Sequence, residues 1–402
     1  MPEAAVRITR EELVDRAGID ITLAQRLIEL GILVPDAGDR FDDTDVYRVR
    51  LVGACERAGI SAEAIASAIE DGQLSLAFLE FPQYRWAAFQ TETYGELAER
   101  FDLAFDVMRD VEAALGPRPP FLHDRVREGD EGIFRLIGLM ASMVDTDALA
   151  RIGRVYVDSL RRMAEAEAVL FDTYLVGGLE RMGLSYGQAV EQASGLGVEM
   201  FPLLEQMILA LYRRQRERGW TNGMVERIER VVDEMGRYPR PERPQAFAFI
   251  DLAGYTQMTD ERGDQAGADL AAEMAGMVDR GTADHDGTPV KWLGDGVMIR
   301  FRDPGTAVRA TLEIVERAPA VGLPAHAGIA AGPVVMQDGD YFGRTVNLAS
   351  RIAATAGAGQ TLVSGLVAEL ARADDLAFRE VGPVELKGFA EPVPLFEART
   401  AS

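Results

Sequence analysis

The sequence has little or none of several features that define whole classes of protein. It contains one cysteine, Cys55, among 402 residues, which excludes an intramolecular disulfide framework and is typical of a reducing compartment. No apolar run approaches the roughly 20 residues that span a bilayer, and the first residues show no basic-then-apolar signal pattern. No Gly-Lys dipeptide occurs, so a Walker-type phosphate loop is excluded. We therefore expect a cytoplasmic protein without a membrane span.

Positive charge is scarce, and lysine is scarcer still. The chain has 42 Lys and Arg against 65 Asp and Glu, with a formal net charge of −23. This balance disfavours bulk attraction to nucleic acid or to an anionic membrane. Only Lys291 and Lys387 are lysines. Because arginine is used at every other basic position, each lysine indicates a site that favours a compact ammonium over a planar guanidinium.

Four segments with different patterns indicate a multidomain protein. Residues 1–80 predict a helix–turn–helix unit with a short wing, and residues 81–205 have the apolar period of a helical bundle. Residues 206–244 predict a linker or switch segment, in which a charged helix is followed by the Pro-rich stretch 236–244. Residues 245–402 mix strands, helices and hairpins. The predicted fold is an all-α N-terminal region with a winged-helix-like start, followed by an α+β domain of ferredoxin-like type.

Local capping signals define the helices at the start of the chain. Thr9 and Glu12 form a predicted capping box before the first helix, and Gly18 ends that helix. Thr22 opens the second predicted helix, and Asp42 caps the third. Three short helices are therefore expected close together in the first segment.

A short wing is predicted between the second and third helices, over residues 31–41. A helix–turn–helix followed by a wing resembles the N-terminal domain of the MerR regulators, and this resemblance covers only the first segment. Residues 1–60 hold twelve Asp or Glu against eight Arg, and the predicted reading helix offers only Arg26. Because a reader of duplex DNA needs a basic face, DNA binding is disfavoured and a protein-interaction role is expected. A MerR-like transcription regulator stays open as an alternative.

Two acidic residues of the last segment follow strand-like sequences. Residues 246–250 predict an apolar strand that ends at Asp251, before a Gly turn and the start of a helix. Residues 289–301 predict a β-hairpin with Asp295 between two glycines at its tip and Lys291 four residues upstream. Carboxylates at the ends of neighbouring strands, beside exposed backbone amides, suit divalent metal and polyphosphate.

Three motifs in this segment resemble the catalytic domain of class III nucleotidyl cyclases. They are FIDLAGYT at 249–256, KWLGDG at 291–296 and DYFGRTVNLASR at 340–351. The resemblance extends from residue 245 to the C-terminus. The whole chain is also similar to soluble bacterial adenylyl cyclases in which an all-helical autoregulatory domain precedes the cyclase domain. The resemblance implies an adenylate cyclase, a lyase that converts ATP to 3′,5′-cyclic AMP and pyrophosphate.

The resemblance implies roles for residues around the triphosphate. Asp251 and Asp295 would bind two divalent cations, Mg²⁺ or Mn²⁺, which activate the ribose 3′-hydroxyl and neutralise the leaving pyrophosphate. The backbone amides of Tyr255 and Thr256 would contact phosphate oxygens, and Lys387 would contact the triphosphate. ATP and both cations would therefore share one site.

Four further residues match family positions that act on the ribose, the phosphorus and the base. Asn347 and Arg351 match the pair that orients the ribose and stabilises charge on the pentavalent phosphorus, and their spacing of four places both on one helix face. Lys291 and Asp340 match the purine-selecting pair of adenylyl cyclases. A lysine can donate to adenine N1 and an aspartate can accept from the exocyclic amine. Guanine would leave both groups mismatched, so ATP is the expected substrate.

The family's active sites form between two catalytic domains, so the resemblance implies a homodimer. The metal-binding carboxylates would come from one protomer, and the base, ribose and phosphorus contacts would come from its partner. A monomer should be nearly inert. Residues 1–235 are expected to control the dimer geometry through the 206–244 segment.

The regulatory signal is open from the sequence. Relatives that respond to pH or bind fatty acid imply a pH or lipid effector on the N-terminal domain. The three histidines are His123, His285 and His326, and the last two fit structural roles better than titration. Frequent methionines between residues 140 and 224 fit either core filling or a pocket for an apolar effector. A catalytically degenerate, nucleotide-sensing dimer with the same fold stays open as an alternative function.

Overall fold

The computed structural model of the protein describes four stretches of the chain, which are residues 7–81, 89–116, 119–235 and 244–401. The chain divides into two compact units, Met1–Met224 and Val225–Ser402. Residues 236–243 of the predicted Pro-rich linker lie outside the described residues. The division into four segments therefore stays a prediction.

The described chain up to residue 235 is built mainly from helices. These are α1 (Arg10–Ala17), α2 (Ile21–Glu29), α3 (Asp45–Arg57), α4 (Ala62–Glu70), α5 (Tyr94–Arg100), α6 (Phe105–Leu115), α7 (Glu131–Ala141), α8 (Thr146–Val169), α9 (Gly177–Arg181) and α10 (Tyr186–Glu234). A 3₁₀ turn, Ala77–Glu80, and a π-helix, Leu170–Val176, add to them. Two short antiparallel pairs join β1 (Arg7–Thr9) to β2 (Arg40–Asp42) and β3 (Phe89–Thr93) to β4 (Arg125–Arg127). The prediction of a largely helical N-terminal region is confirmed.

The first helix has the caps predicted for it. The Thr9 hydroxyl accepts a hydrogen bond from the Glu12 amide at 3.2 Å, and the Glu12 carboxylate accepts one from the Thr9 amide at 2.7 Å. Gly18 follows the helix with φ of 64°, a left-handed conformation that favours glycine. The capping box and the glycine stop are therefore confirmed.

The next two helix starts differ from the prediction. Helix α2 begins at Ile21, because Asp20 is its N-cap and accepts from the Thr22 amide at 2.8 Å. Asp42 does not cap a helix, since it is the last residue of β2, and α3 begins at Asp45. The pairing of β2 with β1 holds this part of the chain extended, which the local cap pattern did not reveal.

The predicted wing, residues 31–41, contributes little more than strand β2 to a two-stranded ribbon. The winged-helix-like start therefore stays a prediction. Arg26, the basic residue of the predicted reading helix, forms ion pairs with Glu56 at 2.9 Å and Glu63 at 2.6 Å. Because acidic neighbours occupy it, Arg26 does not present an uncompensated charge to DNA.

Helix α10 runs through most of the predicted linker or switch segment. It is 49 residues long and contains Pro202, and its charged stretch confirms the exposed helix predicted within residues 206–244. Within the described residues, α10 is the one helix long and apolar enough to cross a membrane by length and composition, which is weak evidence by itself. The expectation of no membrane span is therefore not confirmed.

The methionines of the helical region do not line the apolar cavity found there. The four most exposed in the predicted range are 49–78% exposed, namely Met143, Met182, Met207 and Met224. A cavity of about 630 Å³ lies among α3, α4, α8, the π-helix and α10, and no methionine lines it. Its wall is mainly aliphatic and aromatic, with side chains such as Leu51, Ile65, Phe171 and Val190.

The remaining described chain forms an α+β domain. Its strands are β5 (Ala246–Leu252), β6 (Thr288–Leu293), β7 (Gly296–Phe301), β8 (Ala325–Ala331), β9 (Val335–Gln337), β10 (Asp340–Phe342), β11 (Thr361–Ser364), β12 (Leu376–Val384) and β13 (Val393–Thr400). Its helices are α11 (Tyr255–Arg262), α12 (Asp264–Ala283), α13 (Pro304–Arg317), α14 (Arg344–Ala353) and α15 (Gly365–Leu370). The α+β class, the hairpin around Asp295 and the helix carrying Asn347 and Arg351 are confirmed.

A seven-stranded mixed sheet organises this domain. The strand order is β12-β13-β11-β8-β5-β7-β6, and the pair of β11 with β8 is parallel while the other pairs are antiparallel. Strands β9 and β10 form a separate hairpin. Strand β5 is therefore an interior strand, with β7 on one side and β8 on the other.

Alternate residues of β5 enter two different cores. Ala248 and Ile250 belong to the core that includes residues of α12 and α13, whereas Phe247 belongs to the core that includes residues of α14. Side chains alternate between sheet faces along a strand, so Asp251 has the same parity as Phe247 and lies on the α14 face. Gly328 of β8 permits the close approach of α14, because a Cβ there would be 2.0 Å from the Ala353 nitrogen.

Candidate active site

Asp251 and Asp295 lie side by side at neighbouring strand ends. Strand β5 pairs with β7 so that Asp251 is opposite Gly296, and Asp295 precedes Gly296 in the hairpin turn. Burial raises the pKa of Asp295, and the adjacent Asp251 carboxylate raises it further. These two neighbouring carboxylates therefore form a site that a cation would stabilise.

The chemistry of these donors fits a divalent cation bound together with a polyphosphate. Among the described residues, no group of three or more His, Cys, Asp or Glu is gathered as a metal site. Mg²⁺ commonly uses one or two carboxylates and completes its shell with water and substrate phosphates, so a pair of carboxylates suffices. Asp251 and Asp295 are therefore suited to hold metal when substrate phosphates supply further oxygens.

His326 is a neighbour of this pair that the sequence did not reveal. It lies on β8 directly opposite Asp251, and opposite residues of an antiparallel pair have Cβ atoms about 4.5–5.5 Å apart on one face. Its Nδ1 atom is buried and has no hydrogen-bond partner among the described residues. The prediction of a strand position is confirmed, but its place beside the carboxylates depends on strand register, which no local signal encodes.

Tyr255 and Thr256 begin helix α11, shortly after Asp251. Gly254 precedes them with φ of 85°, which turns the chain from the strand into the helix. The first amides of a helix have no intrahelical acceptor, and their partial positive charge favours anions. The structure therefore places both predicted amides at a helix N-terminus close in sequence to a candidate metal ligand.

Lys291 and Asp340 form a direct ion pair. The Lys291 ammonium donates to the Asp340 carboxylate at 2.5 Å, although the residues are 49 positions apart. A register shift between Pro289 and Lys291 indicates a bulge in β6, and bulges redirect side chains. Tyr341, next to Asp340, accepts a hydrogen bond from Arg300 at 3.1 Å, which ties the β9–β10 hairpin to the sheet.

Asn347, Arg351 and Lys387 line one cavity of about 430 Å³. The first two are exposed on the same face of α14, and Lys387 lies in the loop between β12 and β13. The cavity wall consists of Gly343, Arg344, Asn347, Arg351, Lys387, Gly388 and Phe389. It therefore contains three cationic side chains and no acidic one, in a chain whose net charge is −23.

Arg344 is a member of this cavity that sequence reasoning did not select. It is the first residue of α14, and its guanidinium lies over the Phe389 ring, 5.0 Å from the centroid. Among the described residues, Arg351 and Lys387 form no ion pair. An anionic ligand would therefore bind beside positive charge that no ion pair within the described part of the chain neutralises.

Seven of the nine predicted site residues thus occur as three groups in one chain, while Tyr255 and Thr256 begin α11. They are the carboxylate pair, the Lys291–Asp340 pair and the basic cavity. In the described part of the chain, no hydrogen bond or ion pair joins one group to another.

The C-terminal region matches a known protein family. Residues 239–396 match the family described as adenylate and guanylate cyclase catalytic domain. All nine predicted site residues lie inside this range. The match covers the α+β domain except the end of β13, and none of the helices that precede it.

Several curated proteins are similar over a longer range. An uncharacterized protein of Mycobacterium tuberculosis is 28% identical over 265 residues, which are 64% of this chain and 66% of that protein, just under two thirds of its length. A pH-sensitive adenylate cyclase of the same species is 27% identical over 318 residues, 76% of this chain and 77% of that protein. An adenylate cyclase of Streptomyces coelicolor is 30% identical over 245 residues, 58% of this chain and 59% of that protein.

Proposed function

We propose that this chain, whose residues 239–396 match a nucleotide cyclase catalytic domain, is an adenylate cyclase that makes 3′,5′-cyclic AMP and pyrophosphate from ATP. The observation that carries the choice of ATP is the ion pair of Lys291 with Asp340 at 2.5 Å. The pair holds one donor and one acceptor side by side, and an ammonium retains protons for a second acceptor. Adenine offers an acceptor at N1 and a donor at its exocyclic amine. Guanine reverses both, so it would leave two partly buried polar groups mismatched.

The carboxylates of Asp251 and Asp295 would hold two divalent cations, Mg²⁺ or Mn²⁺, together with the triphosphate. When bound, such cations would lower the pKa of the ribose 3′-hydroxyl and neutralise the charge of the pyrophosphate. The raised pKa of Asp295 supports this role, because a cation relieves the repulsion between the two carboxylates. The amides of Tyr255 and Thr256 would bind phosphate oxygens at the start of α11.

The basic cavity would act on the ribose and the phosphorus. Asn347 would orient the ribose, and Arg351 would stabilise the charge that develops on the pentavalent phosphorus, since preorganised donors are most effective where charge appears. Lys387 would contact the triphosphate. The absence of acidic residues from the wall of this cavity supports these roles.

The active unit would be a homodimer. Asp251 and Asp295 of one protomer would complete the site with the base-selecting pair and basic cavity of the other, so a two-fold dimer would contain two sites. The separation of the candidate residues into three groups, unjoined by described polar contacts, supports this arrangement. Residues 1–235 would control it by changing the relative position of the catalytic domains.

An apolar molecule would be an effector of the helical region. The cavity of about 630 Å³ has a size typical of small-molecule sites, and its wall is mostly apolar. Its charged lining residues are Glu167 and Asp172, with no basic side chain. A neutral or cationic lipid therefore fits this cavity better than a fatty-acid anion does, and pH is the alternative effector of the N-terminal domain. A cytoplasmic location and a MerR-like interaction role for residues 1–80 complete the proposal.

The decisive experiment measures product formation by the full-length chain with ATP or GTP and with Mg²⁺ or Mn²⁺. Cyclic AMP as the main product, lost in Asp251→Ala, is the expected result. Cyclic GMP as the main product would overturn the base assignment. Nucleotide binding without turnover under all four conditions would instead favour the degenerate, nucleotide-sensing dimer.

A further inference from the structure

Both oxygens of the Asp340 carboxylate are engaged. Its Oδ2 accepts a hydrogen bond from the Lys291 ammonium at 2.5 Å, and its Oδ1 accepts one from the Tyr341 backbone amide at 2.8 Å. The side chains of Lys291 and Asp340 are only 37% and 28% exposed. A carboxylate bound at both oxygens is fixed in orientation, so the position of Asp340 depends on Tyr341 as well as on Lys291.

The hairpin that carries Asp340 is not part of the seven-stranded sheet. Among the described strands, β9 and β10 pair only with each other. Lys291 lies on β6, at one edge of the seven-stranded sheet. Strand pairing within the described residues therefore does not fix Asp340 relative to Lys291, and side-chain contacts between the hairpin and the sheet become important.

Tyr341 supplies such contacts with two strands of the sheet. Its ring packs on the Phe247 ring of β5, with 5.2 Å between the centroids. Its hydroxyl accepts a hydrogen bond from Arg300 of β7 at 3.1 Å, and the Arg300 guanidinium carbon is 5.7 Å from the centroid of the same ring. Arg300 lies opposite Phe247 in the β5–β7 pair, so both side chains are on the α14 face of the sheet.

These contacts form a chain that starts and ends on neighbouring strands. The Arg300 guanidinium donates to the Tyr341 hydroxyl, the Tyr341 amide donates to Asp340, and Lys291 donates to the same carboxylate. Met298 lies opposite Lys291 and is two residues from Arg300, so Lys291 and Arg300 are on one face of the β6–β7 pair. Arg300 therefore reaches the Lys291–Asp340 pair through Tyr341.

We propose that Arg300 is a positioning residue for base selection, which acts through the Tyr341 hydroxyl to hold Asp340 against Lys291. The inference rests on the proposed role of Lys291 and Asp340 in recognising adenine. Without the hydroxyl contact, the hairpin can shift relative to β6 and β7. Because a hydrogen bond weakens steeply with distance and angle, Asp340 would then contact both Lys291 and the exocyclic amine of adenine less well.

The two lysines of the chain allow the first step to be measured without nucleotide. In the full-length protein, limited acetylation followed by mass spectrometry gives the ratio of modified Lys291 to modified Lys387, which serves as the internal reference. Arg300→Leu and Tyr341→Phe should each raise this ratio about threefold, because an ion pair of this exposure restrains the ammonium by a comparable factor. Asp340→Asn is the positive control. A ratio that rises in Asp340→Asn and stays unchanged in both other variants would overturn the proposal.

Nucleotide preference measures the second step. The analogues 3′-deoxy-ATP and 3′-deoxy-GTP lack the attacking hydroxyl, so their Kd values can be compared without turnover. Arg300→Leu and Tyr341→Phe should each lower the preference for the adenine analogue about tenfold. Arg300→Lys should keep most of the preference, because an ammonium can also donate to the Tyr341 hydroxyl.

The double variant Arg300→Leu/Tyr341→Phe decides whether Arg300 acts through Tyr341. Its preference should be close to that of either single variant, since all three lack the same hydrogen bond. Losses that add, or an equal weakening of both analogues in the single variants, would overturn the proposal.

A purely structural role for Arg300 predicts a different result. Arg309→Leu is the matched control, because Arg309 donates to Asp375 at 2.6 and 2.9 Å in the same domain. It should lower the melting temperature and leave both ratios unchanged. The same behaviour in Arg300→Leu would overturn the proposal.

Failure of the proposed function would be recognised separately. A preference of the unmodified chain for the guanine analogue would contradict the base assignment itself. Failure of the role of Arg300 would instead appear as unchanged ratios in the variants of a chain that prefers the adenine analogue.

Discussion

The carboxylate of Asp251 occupies the space beside Gly296 that any side chain would need. A Cβ at Gly296 would lie 2.7 Å from Asp251 Oδ1 and 3.2 Å from the Ile250 carbonyl oxygen. Gly296 is buried and lies opposite Asp251 in the strand pair, so neither backbone can easily move away. This glycine therefore fixes where a candidate metal ligand can lie.

Gly296→Ala should reduce cyclase activity without preventing folding. The added methyl group would displace the Asp251 carboxylate, and a shift of about 1 Å in a catalytic group can lower the rate about 100-fold. Steady-state cyclic AMP formation measures the effect. Gly357→Ala is the control, because a Cβ there would meet only a side-chain oxygen at 3.8 Å. Full activity of Gly296→Ala would show that Asp251 does not need its present position.

Local sequence signals predicted much of the α+β domain. The hairpin around Asp295 and the i, i+4 spacing of Asn347 and Arg351 depend on a few adjacent residues, so they could be read from the chain. The position of His326 could not. It depends on the register between β5 and β8, whose paired residues are 75 positions apart at Asp251 and His326.

The N-terminal helical region was harder to predict in detail, because its structure also depends on residues that are distant in the sequence. Asp42 has the composition of a helix cap, yet pairing with the distant strand β1 holds it in β2. The segment 206–234 has charged and apolar stretches that favour helix locally, but their continuity with the upstream helix as one element, α10, is a property of the whole segment. Tertiary pairing overrides local preference in the first case, and cooperative helix extension joins the parts in the second.

Removing either member of the Lys291–Asp340 pair should weaken base selection. Lys291→Ala and Asp340→Ala are each expected to lower kcat/KM for ATP about 100-fold and to reduce the preference for ATP over GTP, because the site would lose a group that adenine satisfies. Competition between the two nucleotides measures the preference directly. Arg309→Ala is the matched control, since it breaks another ion pair of the domain, with Asp375 at 2.6 Å. An unchanged ratio in both variants would remove this pair from base recognition.

Arg351 and Arg344 line the same cavity but should affect different kinetic constants. Arg351→Ala should lower kcat about 100-fold or more with little change in KM, since its proposed interaction forms only as charge develops on phosphorus. Arg351→Lys should restore little of the lost kcat, because the lysine ammonium lacks the planar geometry of the guanidinium. Arg344→Ala should mainly raise KM through lost attraction for the anionic substrate. An equal increase in KM for Arg344→Ala and Arg351→Ala would mean that Arg351 contributes only to substrate binding.

The Asp295 carboxyl should link stability to pH in the metal-free protein. Burial, followed by the Asp251 carboxylate, raises the pKa of Asp295 above that of the unfolded chain. A raised carboxyl pKa stabilises the fold at low pH, and this contribution is lost as pH rises through the folded-state pKa. Asp295→Asn should therefore raise the melting temperature at neutral pH by about 2 °C while abolishing activity. The difference in melting temperature between Asp295→Asn and the unmodified protein should shrink toward pH 4. It should also shrink when Mn²⁺ and an ATP analogue are added. Thermal melts between pH 4 and neutral pH measure this change in melting temperature, with Asp374→Asn as an exposed control. A lower melting temperature for Asp295→Asn at neutral pH would contradict the repulsion inferred between the two carboxylates.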